Sequence, residues 1–154
     1  MANQIITRNN SSITCACTPT QRVMVGAMGG LGAGVVFGMM MSMLNMIGSI
    51  AMLVGSKSNA VGWTVHLLIS MVIGIAFSLV LEKRLKSYSA GIGYGVAYGM
   101  FWWVVGGLIL MPAKLNMPLF HFDTMAWQSL MGHVVFGMIL GALTVAIPSR
   151  MHKR

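Results

Sequence analysis

Acidic residues are almost missing from this chain: Glu82 and Asp123 are the whole complement in 154 residues. Neither lies inside an apolar run, so the runs offer no carboxylate pair for acid–base work, no Ser-His-Asp arrangement and no ion-coupled transport site. Charge of either sign is scarce, at 8% of residues, where a soluble domain carries about a quarter. Cysteine is scarce too. Cys15 and Cys17 stand too close for an ordinary disulfide framework and are too few for a closed zinc site. They read as unpaired thiols in a reducing compartment, with a Cys-x-Cys metal or redox role as the alternative. Walker, Rossmann and zincin motifs are absent, and an enzyme is not expected.

What the chain has instead is apolar length. Hydrophobic residues make up 56%, and the mean hydropathy is +0.79. Four apolar runs stand out, at residues 23–54, 61–81, 91–111 and 125–147. Each supplies the roughly 20 residues that cross a hydrocarbon core about 30 Å thick. The first is longer than one crossing needs, so a bend at Gly48 is expected. The lipid bilayer is thus the expected solvent.

The net charge of +8 does not signal nucleic acid, because the basic residues flank apolar runs and build no recognition helix. They set an orientation instead. Arg8, Arg22, Lys83, Arg84, Lys86, Arg150, Lys153 and Arg154 share one side of a four-span chain, against Lys57 and Lys114 on the other. Both termini and the 82–89 loop are therefore expected in the cytoplasm, and the protein in the inner (cytoplasmic) membrane. Glu82 and Lys86 are spaced to pair. Of the two outer connections, 55–60 is a short turn, while 112–124 is longer and reads as a plain loop, a lid being the alternative. Asp123 or Thr124 suits the N-cap of the fourth span.

The chain also repeats itself. Residues 30–39 align with 91–100 at an offset of 61, and the second and fourth runs align at 67. The expected fold is an all-α membrane protein, two tandem and similarly oriented helical hairpins related by a pseudo-two-fold axis along the membrane normal. Its parts are a polar, disordered cytoplasmic tail (1–21), a first hairpin with the inner basic loop (22–88), a second hairpin (89–148) and a basic tail (149–154).

Small residues recur every four positions: Gly26, Gly30, Gly34 and Gly38 on the first run, Gly91, Gly95 and Gly99 on the third. Such stripes let helix backbones approach closely in lipid. On the second and fourth runs the repeat reads small–His–small–Gly: Gly62, His66, Ser70, Gly74, and Ser129, His133, Gly137, Gly141. A histidine inside an apolar span is costly enough to need a reason. Both lie about 24–26 Å from the basic boundary at 1.5 Å per residue, hence at a common depth. One reading is structural, each imidazole bonding a backbone carbonyl. Others are axial ligation of haem b, a copper-type or other metal site, or a proton relay. The run Met39, Met40, Met41, Met43 and Met46 faces all round a helix and reads as apolar filler. Trp102 and Trp103 count as deeper than an interfacial belt and are expected to fill space in the bundle or at a partner's surface.

The elements Gly-His-x-x-Phe-Gly-x-x-x-Gly, Gly-x-Gly-x-x-Tyr-Gly-Met-x-Trp-Trp and Leu-Met-Pro together resemble a group of bacterial four-span membrane proteins of no known function. In these a Gly-His-x-x-Tyr/Phe-Gly element closes the last helix. The resemblance covers residues 29–147 and implies the four-span architecture, with no functional residue to carry over. The leading functional expectation is a non-catalytic accessory or structural subunit, packing through its glycine stripes as a homo-oligomer or against a larger membrane complex. A haem- or metal-binding protein using His66 and His133, and a small oligomeric pore or carrier, are the alternatives.

Overall fold

The computed structural model describes residues 18–81 and 84–151, of which 148–151 by their backbone alone. Cys15, Cys17 and the Glu82–Lys86 pairing lie outside the described residues. The described chain is helical and holds no strand. Four helical stretches are long and apolar enough to span a membrane: Pro19–Met43, Asn59–Leu81, Tyr88–Lys114 and Thr124–Ile147.

Helix α1 (Pro19–Met43) starts where its cap dictates. Thr18 Oγ1 accepts from the Gln21 N–H, and Gln21 Oε1 accepts from the Thr18 N–H, with Pro19 in the first turn, which together satisfy N–H groups that a helix start leaves open. It ends earlier than the apolar run suggests, at Asn45 and not by a bend at Gly48. Asn45 adopts a φ of 55°, a left-handed conformation that asparagine tolerates better than most residues. The Met46 N–H then closes on Met41 O at 2.7 Å, a helix-ending wrap that caps an open carbonyl. The chain continues as the short α2 (Ile47–Met52), which packs on α3 (Asn59–Leu81) and seats the Ile47 carbonyl against Gly62.

The third span is composite. Helix α4 (Tyr88–Trp102) passes into a π-helical stretch, Trp103–Leu110, and then α5 (Met111–Lys114). Its wide turns coincide with the adjacent Gly106 and Gly107, the poorest α-formers of the segment short of proline. The last span, α6 (Thr124–Met151), is capped by Asp123, whose Oδ1 accepts from the Ala126 N–H at 2.8 Å.

Spans pack α1 on α3, α4 on α6, and α1 on α6. All three contacts are antiparallel. Gly26 meets Gly74 and Gly38 meets Trp63; Gly91 meets Gly141 and Gly99 meets His133; Gly29 meets Leu140 while Gly132 meets Phe37. The core comprises Ala33, Phe37, Met41, Met46, Ile47, Phe77, Phe136 and Leu140. The Tyr98 hydroxyl joins the outer pair, donating to Ile73 O at 3.1 Å.

The helices do not end at one level. Phe37, His66, Gly99 and His133 mark a common height through their mutual contacts. From there Met43 lies six residues up α1, Asn59 seven up α3 and Thr124 nine up α6, or about 9, 10 and 14 Å. Lys114 lies 15 residues above Gly99, at most about 22 Å, since the π turns rise less per residue than α turns. The third span therefore overshoots its neighbours, by at most about 8–13 Å, at the Lys114 end of the bundle.

Candidate functional site

The small-residue stripes are consumed within the chain. A Cβ at Gly26 would stand 2.6 Å from Gly74 O, and one at Gly74 would stand 2.6 Å from Gly30 Cα. Gly30 abuts the Ser70 carbonyl and Gly34 the Ser70 side chain. In the other pair Gly91 lies against Gly141 O, Gly95 against Gly137 O and Gly99 against His133 O. Real Cβ atoms do not come so close, so backbone meets backbone there. Gly26, Gly30, Gly34, Gly38, Ser70, Gly74, Gly91, Gly95, Gly99, Gly137 and Gly141, expected from the sequence to pack helices, lie at these close contacts within the chain.

The contacts also revise the internal alignment. Gly30 meets Ser70 O and Gly74 Cα; the residue that meets the matching Gly137 O and Gly141 Cα is Gly95. First and third spans correspond by contact at an offset of 65, one turn away from the 61 that their sequences suggest. A stripe of period four fits its partner after any shift of four, so sequence similarity could not choose.

At the common height the two histidines flank one ring. Phe37 of α1 lies between them, its centroid 5.3 Å from His66 and 4.9 Å from His133, edge-on to both. Gly132 makes the seat, since a Cβ there would stand 2.5 Å from Phe37 Cδ2. Trp63 closes the far side of His66 at 6.4 Å, and Phe136 packs on Phe37 at 6.3 Å.

Each imidazole holds a carbonyl, by opposite nitrogens. His66 Nε2 donates to Gly34 O across the α1–α3 contact at 2.9 Å. His133 Nδ1 donates to Ser129 O of its own helix at 2.8 Å, with Ser129 Oγ at 3.4 Å. A carbonyl only accepts, so the hydrogen sits on Nε2 in one ring and Nδ1 in the other. The positions correspond in sequence, but one histidine ties two helices together and the other does not.

A haem held by the two imidazoles would have to displace the Phe37 ring, which packs against both, so the residues as they stand do not fit one. Each imidazole keeps one lone pair, but among the described residues no group of three or more His, Cys, Asp or Glu side chains comes together, where a structural zinc site takes four ligands.

Two further side chains of the spans hold carbonyls, whereas Ser42 Oγ and Trp102 Nε1 are buried with no hydrogen-bond partner. Thr144 Oγ1 donates to Leu140 O at 2.7 Å, and Trp103 Nε1 to Ala126 O at 3.0 Å. Trp103, Phe122 and Trp127 form a three-ring cluster with centroids 6.1–6.3 Å apart. Trp103 is less deep than counting from the start of its span suggests, since that span is displaced toward the Lys114 end and its indole meets the first turn of α6. Trp102 fills space beside Tyr98 and Phe101. The π-helical stretch is the feature that sequence reading missed, its one sign being the Gly106-Gly107 pair.

Compared with known proteins, the chain matches no family model, no curated protein and no solved structure.

Proposed function

We propose that the protein works non-catalytically, as a small integral subunit of the inner membrane that associates through its lipid-facing helix surfaces with a larger membrane complex or with further copies of itself. The observation that supports this reading is that both span imidazoles and three further polar side chains are taken up by backbone carbonyls, although Ser42 Oγ and Trp102 Nε1 are not. His66, His133, Tyr98, Trp103 and Thr144 all donate to backbone carbonyls of the bundle, and Phe37 fills the space between the imidazoles. That leaves the outside. With the glycine stripes used internally, the contact surface shifts to the third span, where Ser89, Gly93 and Ala97 are exposed at spacings of four and Gly93 has open space above it.

The test is purification from native membranes in mild detergent, with absorption spectrum, metal analysis and co-purifying chains read together. A colourless, metal-free preparation bringing larger membrane subunits or forming defined oligomers is expected, and Gly93→Leu should weaken that association without lowering the melting temperature. A Soret band or stoichiometric metal lost on His66→Ala or His133→Ala would overturn the proposal, as would ion or solute flux through liposomes holding this chain alone.

A further inference from the structure

The connection from α5 to α6 folds back onto its own span. The Phe120 N–H donates to Leu108 O at 3.2 Å, six residues before Lys114 and so about 9 Å below the top of the third span. Left-handed residues Asn116 (φ 56°) and Phe120 (φ 52°) turn the chain downward. The returning segment carries Met117, Leu119, Phe120, Phe122, Met125 and Trp127, each about half exposed. Facing water, these six residues of the loop and the first turn of α6 would form a costly apolar patch.

Height resolves the matter. Phe122 and Trp127 pack tilted against Trp103, about 6–9 Å above the imidazoles and just below where α1 ends and α3 and α6 begin. The hydrocarbon region must end near that level, since three of four spans stop there. Large aromatic and methionine side chains at a boundary of this kind are what the headgroup–acyl zone favours, an apolar body with a polar tip. The third span also exposes Phe101 below this level and Leu110 above it, so its lipid-facing surface continues into the segment. Lys114, in the last turn of α5, supplies a cation for lipid phosphate.

From this we infer that residues 117–127 are an interfacial anchor, lying in the headgroup–acyl boundary of the leaflet at the Lys114 end, with the lipid surface as ligand. The anchor fixes the height of α6 and of the overshooting third span. It does not depend on what the helix surfaces associate with.

Site-directed spin labelling tests it. In a Cys15→Ser/Cys17→Ser background, Leu119→Cys is labelled and the full chain reconstituted in vesicles of phosphatidylethanolamine and phosphatidylglycerol. Lys57→Cys, exposed on the other connection at the same end, is the reference. The ratio of relaxation by oxygen to relaxation by a water-soluble nickel chelate is expected to be several-fold higher at Leu119 than at Lys57. Equal ratios would place the segment in water and overturn the anchor. Protection of Leu119 from both reagents would mean that another protein surface covers it, and would overturn it equally. Should Leu119→Cys fail to fold, Met117→Cys gives the same reading.

Discussion

A methyl group at Gly132 has nowhere to go, because the Phe37 ring already fills its place. Gly132→Ala should therefore lower stability by about 1–3 kcal/mol, the usual cost of overpacking. Gly93→Ala, with nothing within 4 Å of the added carbon, should be neutral or slightly stabilising, as alanine is the better helix former. Thermal unfolding of the two variants in one detergent separates steric contact from helix propensity. Phe37→Ala leaves a cavity between two imidazoles and should cost about 3–5 kcal/mol. His66→Ala removes a buried ring packed on Phe37 and Trp63 as well as a hydrogen bond between helices, and should cost about 2–4 kcal/mol. The paired histidines at one height were legible from the offset of 67 and a count of residues to the basic boundary. The ring between them was not, for a phenylalanine in an apolar run carries no mark. Gly132 was the available clue: it sits outside the four-residue stripe, so its smallness had to serve some other neighbour.

Among elements, the caps are readable and the irregularities less so. Asp123 was foreseeable as the start of α6, and Asp123→Ala should destabilise by about 1 kcal/mol, with Asp123→Asn retaining most of it, since asparagine caps nearly as well; chemical or thermal denaturation of both variants checks this. The end of α1 was misjudged because apolar character runs unbroken through Met46 and Ile47, and only Asn45, a residue at ease in the left-handed region, interrupts it. The π-helical stretch follows the same logic. Gly106 and Gly107 weaken an α-helix, while the Trp103 indole is held by Ala126 O, and hydropathy registers neither effect. The number of spans, which does depend on hydropathy, was plain from composition.

For the whole molecule, the placement of basic residues predicts that a reporter fused after Arg154 is cytoplasmic, and one inserted beside Lys57 is not; paired phosphatase and fluorescent fusions check this. The stripes of glycine carry a further consequence. A rack meets its pinion equally well one tooth along, and α4 could ride α6 in the same fashion, each notch about 6 Å from the next, four residues at the rise of a helix. Glycine therefore grants intimacy without choosing a position. The choice rests on the two side chains of the third span that grip carbonyls elsewhere, Tyr98 on Ile73 and Trp103 on Ala126. Removing both grips should leave a mixture of two seatings, visible as a second set of cysteine cross-links displaced by four residues.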